Sequence, residues 1–453
     1  MPGKKAFLAL LALSSVSLFL HHRGHFSWTM KVFHLDSLPT HPSPTQKPKH
    51  TSVAFLKTHK TASSTMQNLM FRFAERHNLT VALPYQMCGH QFCYPSSFNA
   101  RFVHPHTLPP HIITSHMRFN LSELRRLMPN DTVYVTVLRE PASMFESLFS
   151  YYNQDCQSFK RVPNGSLEAF LAHPTRYYRP EEKDSVYAHN TLTFDLGGDR
   201  DRPSSDVEYA RHFIEEIERE FSLVMISEYF DESLVLLRHL LAWDLEDMLY
   251  VKLNMRASRT KLSSGLPAQV RAWNALDARL YDHFNASLWR QLATLGPGHV
   301  AREVGLLQAA RERAVLGCFG GQFPRVRSGT LIKNKELRPW QPNSKVDIVG
   351  YELPLNASRP TAGAGGMSQD VCLKLIMPEV QYTRVLLRSQ SLLYRKKYAL
   401  RFTPPVRSPG PHLLSPPPSS RNSSSSPHSP PAPAVTLSPA VKDKPRPSPM
   451  QPS

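Results

Sequence analysis

Residues 53–66 read Val53-Ala-Phe-Leu-Lys-Thr-His-Lys-Thr-Ala-Ser-Ser-Thr-Met66, and they decide how the rest of the chain is interpreted. Residues 53–56 form an apolar run that predicts a short buried strand, and Met66 opens an apolar stripe at helical spacing. Between them lies a cluster of cations and hydroxyls: Lys57, Thr58, His59, Lys60, Thr61, Ser63, Ser64 and Thr65. Because helix N-termini attract anions, this arrangement favours phosphate or sulfate binding over the alternative, an ordinary capped helix with solvated lysines.

The composition of the chain narrows the class of ligand. Its 453 residues, 41% of them hydrophobic, suffice for one large domain or two ordinary ones. The net charge of +18 suits an anionic small molecule, a nucleic acid or an acidic membrane surface. The sequence has no zinc-finger spacing, no ribonucleoprotein signature and no helix with a dense Arg/Lys face, so it favours the small anion over a nucleic acid.

The N-terminus predicts a membrane anchor. Two lysines precede residues 6–20, an apolar run interrupted only by three serines. We expect a cytoplasmic tail at 1–5, a signal-anchor transmembrane helix at 6–22 and a proline-rich luminal stem at 23–51, since lysines before a span keep the N-terminus in the cytoplasm. A cleaved signal peptide is the alternative, because about 20 apolar residues usually span a bilayer and this run is shorter.

Glycosylation sequons and cysteines agree with a luminal body. Sequons of the N-x-S/T type begin at Asn78, Asn120, Asn130, Asn164, Asn285, Asn356 and Asn422. The five cysteines match no zinc-site spacing, and an oxidising lumen permits disulfides. Cys88 and Cys93 can close a short loop, and Cys318 with Cys372 is a second possible pair. The odd count leaves at least one thiol unpaired within the chain.

Strand and helix patterns alternate between residues 52 and 403, which predicts one domain of the α/β class with a mainly parallel sheet. Further strands are expected at 132–138 and 223–226, and helices at 142–152, 233–243 (with Asp231 as cap) and 268–315 (with loops near Gly296). Ligands of such sheets bind at the carboxyl ends of the strands, where Lys60 falls. Residues 404–453, rich in proline and serine, are expected to form a disordered tail.

A second candidate anion site follows the predicted strand 132–138. Arg139 lies at the end of that strand, and Ser147 belongs to the polar face of the helix that comes next. A guanidinium binds phosphate bidentately, so two anion sites at two strand ends suit a ligand with two separated phosphates. The alternative is an arginine paired with Glu140 or Glu146 beside a merely solvated serine face.

A candidate general base lies between the two anion motifs. His116 follows a short apolar run, which places it at another strand end. Imidazole is the natural base for a sugar hydroxyl at neutral pH. Among the 21 histidines, His59, His106 and His111 are rivals for this role.

These motifs resemble a known family. Lys60-Thr-Ala-Ser-Ser-Thr65 resembles the 5′-phosphosulfate loop of Golgi sulfotransferases, and Arg139 with Ser147 resembles their 3′-phosphate site. Further segments are similar to the galactose 3-O-sulfotransferases over roughly residues 52–403: Phe55-Leu-Lys-Thr-His59, His116-Met-Arg-Phe-Asn120, Glu228-Tyr-Phe-Asp-Glu-Ser-Leu-Val-Leu-Leu237 and Pro378-Glu-Val-Gln-Tyr382. Residues 71–84 and 145–152 resemble the branch that acts on glycoproteins.

The resemblance implies a P-loop-like sulfotransferase fold, a mainly parallel sheet flanked by helices, and the sulfate donor 3′-phosphoadenosine 5′-phosphosulfate (PAPS), with no metal. It implies a single-pass type II enzyme of the Golgi membrane with a luminal catalytic domain. This enzyme would transfer sulfate to the 3-hydroxyl of terminal β-galactose on glycoprotein glycans of the N-acetyllactosamine type. The glycolipid galactosylceramide is the alternative acceptor.

The resemblance also assigns roles to residues of this chain. Lys60 and His116 would be catalytic, the lysine at the bridging oxygen of the leaving phosphate and the histidine as base. The sulfate donor would be held by Lys57, His59, Lys60, Thr61, Ser63, Ser64, Thr65, Arg139 and Ser147. Weaker candidates are residues 253–261, for closure over the nucleotide, and residues 187–190 and 194–195, for acceptor contacts.

Two other classes of protein fit parts of this pattern. A P-loop kinase also places a cation between a strand and a helix, but it carries loop glycines and a magnesium carboxylate that are missing here. A non-catalytic glycan-binding protein needs the acceptor cleft without both phosphate motifs. A comparison of labelling by a sulfate donor and by ATP would distinguish a sulfotransferase from a kinase. Binding of adenosine 3′,5′-bisphosphate would count against a non-catalytic glycan-binding protein.

Overall fold

The computed structural model describes residues 47–258, 262–352 and 368–399. Apart from Ala399, they belong to Met1–Tyr398, the first of the two units into which the chain divides. The tail at 1–5, the anchor at 6–22, the stem up to residue 46 and the segment 404–453 lie outside the described residues, so these predictions stay predictions. Within the described ranges, no helix combines the length and the hydropathy needed to cross a bilayer.

A parallel sheet of five strands forms the centre of the domain, in the order β2-β3-β1-β4-β5. Its strands are β1 (Val53–Leu56), β2 (Val81–Ala82), β3 (Ile112–Ser115), β4 (Val133–Leu138) and β5 (Leu223–Ile226). Every residue of β1, β3 and β5 is buried, as expected for parallel strands with both faces covered. The α/β class and the predicted strands are therefore confirmed, with β4 one residue shorter at its start.

The helices that precede β5 come first in chain order. They are α1 (Ser63–Arg76), α2 (Leu121–Leu127), α3 (Pro141–Tyr152), α4 (Gln157–Lys160), α5 (Leu167–Ala172), α6 (Pro174–Tyr177), α7 (Thr191–Asp195) and α8 (Val207–Glu220). The helix predicted at 142–152 is α3, which begins one residue earlier because proline suits the first helical position.

The remaining helices complete the cover of the sheet. They are α9 (Phe230–Leu241), α10 (Leu266–Trp273), α11 (Ala275–Leu295), α12 (Pro297–Cys318), α13 (Gln369–Ile376) and α14 (Glu379–Ala399). The predicted helical region 268–315 is confirmed as three helices that break near Asn274 and Gly296. The prediction that Asp231 caps its helix is wrong, since Tyr229 occupies the cap position and Asp231 lies in the first turn, where a carboxylate is favoured by the helix dipole.

A small antiparallel sheet contributes to a second, smaller hydrophobic core. Its order is β6-β8-β7, with β6 at Met255–Arg256, β7 at Val326–Ser328 and β8 at Ile348–Tyr351. A disulfide between Cys318 and Cys372 joins α12 to α13, and a second links Cys88 to Cys93. Both suggested pairs are therefore present, and Cys156 is a buried free thiol.

The C-terminal helix α14 brings its first residue, Glu379, to the edge of the main sheet. Tyr382, one turn along, is fully buried and packs edge-on against Phe71 of α1, with ring centroids 5.3 Å apart. Asn68 of α1 donates to the carbonyl oxygens of Lys374 and Met377, just before α14 begins. These contacts fix the N-terminus of α14 beside the loop that follows β1.

Candidate active site

One cavity of about 780 Å³ opens at the carboxyl ends of the parallel strands. It is lined by all ten residues that the sequence proposes for the site: Lys57, His59, Lys60, Thr61, Ser63, Ser64, Thr65, His116, Arg139 and Ser147. They meet because β3, β1 and β4 are neighbours in the sheet, so residues that follow these strands reach the same edge.

The loop of residues 57–65, here called the anion loop, turns without glycine. Lys60 and Ala62 adopt left-handed backbone conformations, with φ of 58° and 66°. Such conformations cost non-glycine residues about 1–2 kcal/mol and occur preferentially at functional sites. Ala62 also occupies the cap position of α1 and makes no side-chain cap. The first amides of this 14-residue helix are therefore free of a side-chain cap and can receive an anion.

The hydroxyls of the anion loop divide into two sets. Thr61 and Ser63 donate to the carbonyl oxygen of Thr58, at 3.3 and 2.6 Å, and so shape the loop itself. Ser64 and Thr65 accept from the segment that precedes β6, through the amide group of Asn254 and the backbone N–H of Leu253. The segment predicted to close over the nucleotide thus already contacts the loop.

Lys60 points its ammonium group over the ring of Tyr151, 3.8 Å from the centroid. Its carbonyl oxygen accepts a hydrogen bond of 3.0 Å from Nη1 of Arg139, which ties the two predicted anion motifs together. Burial, reinforced by the charge of Arg256, lowers the pKa of Lys60 to about 7. A bound anion would favour the ammonium form of Lys60 and so raise this pKa.

Arg256, whose charge acts on Lys60, belongs to a buried ion pair. Arg256 of β6 makes two hydrogen bonds, of 2.8 and 2.5 Å, to the carboxylate of Glu146 on α3. Both side chains are about nine-tenths buried. The sequence left Glu140 or Glu146 as a possible partner of Arg139. The structure pairs Glu146 with Arg256 and places Arg139 between the anion loop and Glu228, whose carboxylate oxygen lies 4.0 Å from Nε of Arg139.

Lys57 bridges His116 and the C-terminal helix. Its Nζ lies 2.7 Å from Nε2 of His116 and 3.0 Å from Oε2 of Glu379. Nδ1 of His116 lies 2.9 Å from the carbonyl oxygen of Lys57, so this nitrogen carries the proton and Nε2 accepts from the ammonium. Burial, then the neighbouring His59 and Lys57, lowers the pKa of His116 well below its usual range. His116 is therefore a neutral ring whose basic nitrogen is already engaged.

His59 is held differently, although its ring stacks on that of His116 with centroids 3.9 Å apart. Both carboxylate oxygens of Asp195 lie within 3.0 Å of Nδ1 of His59, and Tyr94 donates to the same carboxylate at 2.8 Å. A carboxylate only accepts, so Nδ1 carries a proton, and in the neutral ring Nε2 then has the lone pair. Nε2 is buried and has no hydrogen-bond partner in the described part of the chain. A ligand hydroxyl would satisfy it.

Helix α7 presents Asp195 because its other end is anchored to α11. Asp277 accepts from the backbone N–H groups of Leu192 and Thr193, and Asn190 accepts in return from the N–H of Asp277. Asp277 is completely buried, and this burial raises its pKa to about 6 despite those N–H donors. The reciprocal bonds fix α7, and with it the carboxylate that orients His59.

Four site residues escaped the sequence reasoning as participants in the site or in the roles they take: Asp195, Arg256, Trp340 and Glu379. Asp195 and Arg256 were noted only within weak candidate segments, for acceptor contacts and for closure over the nucleotide, and Glu379 only as part of a similar segment. No local pattern marks them, since a single acid or arginine is usually a surface residue. In the residues the structure describes, no group of three or more His, Cys, Asp or Glu side chains is arranged to hold a metal ion.

The amino-acid sequence is similar to those of known sulfotransferases. The family model described as galactose-3-O-sulfotransferase matches residues 1–390. Galactose-3-O-sulfotransferase 3 of Bos taurus is 54% identical over 92% of this chain and 95% of its own length. The human protein of that name is 56% identical over 86% of this chain and 89% of its own. Human galactosylceramide sulfotransferase is 40% identical over 73% of this chain and 77% of its own.

Proposed function

This chain belongs to the galactose-3-O-sulfotransferase family, and from this premise we propose that it transfers sulfate from PAPS to the 3-hydroxyl of terminal β-galactose on glycoprotein glycans. One observation carries the proposal. Around a single cavity, a cationic loop at a helix N-terminus has an arginine–serine anion site on one side and a pair of stacked histidines on the other. This order matches a donor with two phosphates and an acceptor hydroxyl that must lose a proton.

The residues of the cavity fit the sulfate donor. The anion loop offers the uncapped amides of α1 and the ammonium of Lys60 to the 5′-phosphosulfate. Arg139, just after β4, and Ser147 of α3 suit the 3′-phosphate. When bound, the donor supplies an electrophilic sulfur with a phosphate leaving group. Lys60 would then neutralise the charge that develops on the leaving oxygen, the kind of contact that stabilises a transition state.

The base is one of the two stacked histidines, and the contacts support His59 over His116, the residue that the sequence favoured. Nε2 of His116 accepts from Lys57, whereas Nε2 of His59 has no partner among the described residues. Asp195 fixes the ring of His59 and stabilises the imidazolium that forms when the galactose hydroxyl gives up its proton. His116 and Lys57 would then form the wall against which the sugar is held.

We further propose a single-pass type II arrangement in the Golgi membrane, with residues 52–403 as the luminal catalytic domain. The support is the apolar run after two lysines and the sequons spread along the body of the chain. Full-length protein expressed in cells should resist carbonate extraction and carry glycans removable by an endoglycosidase. Release of the chain by carbonate would contradict the anchor.

An acceptor panel with radiolabelled PAPS tests the function directly. We expect transfer to N-acetyllactosamine and to O-glycans with terminal galactose, and weaker transfer to galactosylceramide, because the relatives named galactose-3-O-sulfotransferase 3 are the more similar ones. Acceptors whose galactose is blocked at the 3-hydroxyl are the matched control. Labelling from ATP in place of PAPS, or transfer to the blocked acceptor, would overturn the proposal.

A further inference from the structure

Trp340 stands at the cavity and is exposed to solvent. Its side chain is 62% exposed, yet it lines the same cavity as Lys60 and His59. Among the described residues, it is the one large hydrophobic side chain that is both exposed and part of this lining. Exposure of an indole costs free energy in the absence of a ligand, so an exposed tryptophan at a site entrance is a candidate contact.

The backbone around Trp340 is braced. Gln341 bonds both to the N–H and to the carbonyl oxygen of Ile348 in β8, each at 2.8 Å. On the other side, Gln381 of α14 donates to the carbonyl oxygen of Arg338. The residues on both sides of Trp340 are thus tied to the small sheet and to the C-terminal helix, which fixes the position from which the indole can act as a platform.

Trp340 lies where residues of the donor side and of the acceptor side of the cavity meet. It lines one small cleft with Tyr151 and Glu379, and Ser64, Leu253 and Asn254 complete that cleft from the donor side. The ring of Tyr151 lies under the ammonium of Lys60. From this cleft, Glu379 pairs with Lys57, which in turn contacts His116 of the stacked histidine pair. The 3′-phosphate motif, Arg139, is not part of this cleft.

We propose that Trp340 is a specificity-determining residue that stacks on the acceptor sugar next to the terminal galactose. This inference rests on the proposed function, which places the galactose itself at the buried end, beside His59 and His116. The next sugar must then extend toward solvent, where the indole is exposed. A pyranose presents a face of C–H groups, and the electron-rich face of an indole attracts such groups. The platform would favour oligosaccharide acceptors over a lone galactose.

The test compares two acceptors in steady-state kinetics of the full chain: N-acetyllactosamine and methyl β-galactoside. Trp340→Ala should lower kcat/KM for the disaccharide about tenfold, equivalent to about 1.4 kcal/mol, through KM rather than kcat. The value for methyl β-galactoside and the KM for PAPS should not change. Trp340→Phe should restore most of the loss, and Trp289→Ala, which removes another exposed tryptophan outside the cavity, should have no effect.

Three results would overturn the assignment. Equal loss with both acceptors would place the indole on the galactose itself, a raised KM for PAPS would place it on the nucleotide, and unchanged kinetics would exclude contact. Calorimetric titration of N-acetyllactosamine into wild type and Trp340→Ala gives a readout independent of turnover. If the wild type transferred sulfate to neither acceptor, the proposed function would fail, whereas a tryptophan-dependent affinity for the disaccharide would still support the platform.

Discussion

The anion loop and a second group of site residues are built in contrasting ways. The anion loop is one contiguous segment, residues 57–65, which directly follows the central strand β1. Two of its residues, Lys60 and Ala62, have left-handed backbone conformations. The second group, here called the distant wall, consists of Asp195, Arg256, Trp340 and Glu379, which come from four separate elements or loops. In the proposed function the loop supplies the charge that meets the ligand, whereas Asp195 orients His59 and Glu379 pairs with Lys57. The difference suggests that loop variants lose turnover and wall variants lose positioning.

The largest effect should come from His59, the loop residue that the wall orients. His59→Ala should lower kcat by about 10²–10⁴-fold, since a general base contributes that much. Asp195→Asn should lose less, because the ring remains but its orientation and its counter-charge are weakened. His116→Ala should cost about tenfold if it only supports the sugar. A larger loss for His116→Ala than for His59→Ala, with both proteins folded by circular dichroism, would return the role of base to His116.

Lys60→Ala should be the next most damaging change. Removing one preorganised group that faces developing charge costs about 2.7–4 kcal/mol, so kcat should fall by about 10²–10³-fold. Lys160→Ala, an exposed lysine outside the cavity, is the matched control. Single-turnover rates would check that the chemical step is affected. Near-normal turnover of folded Lys60→Ala would show that the anion loop binds without taking part in catalysis.

Arg139→Ala should act on binding more than on turnover. We expect the KM for PAPS to rise about tenfold with kcat little changed, because in the proposed function the guanidinium binds a phosphate remote from the transferred group. The exposed Arg176→Ala provides the control for a lost positive charge. An unchanged KM for PAPS would place the 3′-phosphate elsewhere, and a fall in kcat alone would make Arg139 a partner of the reaction.

The smallest expected effect is the uptake of protons by Lys60 when the nucleotide binds. With a pKa of about 7, Lys60 is partly neutral in the free protein at slightly alkaline pH. Binding of adenosine 3′,5′-bisphosphate favours the ammonium form and so raises that pKa, which means that binding takes up protons and that affinity falls as pH rises above about 7. Calorimetry in buffers of different ionisation enthalpy measures this uptake. Lys60→Arg should bind without it, and uptake that persists in this variant would assign the proton to another group.

Much of the fold could be predicted because its signals are local. Short-range periodicity, with proline or glycine at element ends, predicts strand β1, the arginine at the end of β4 and the helical region 268–315 with its interruption near Gly296. The second break of that region, near Asn274, was not predicted. The cap of α9 could not be predicted in the same way. An acid near a helix start is favoured at the cap and in the first turn alike, so sequence does not distinguish the two positions.

The sequence by itself determined the chemistry of the anion loop, because cations, hydroxyls and helix start are consecutive and their geometry follows from one strand and one helix. It also determined the family. Only the tertiary structure decided which histidine keeps a free nitrogen, since this depends on Asp195 and on Lys57 binding His116 instead. Likewise, Trp340 and Glu379 reach the cavity through packing between elements far apart in the chain. Such contacts depend on the whole fold, and no local pattern encodes them.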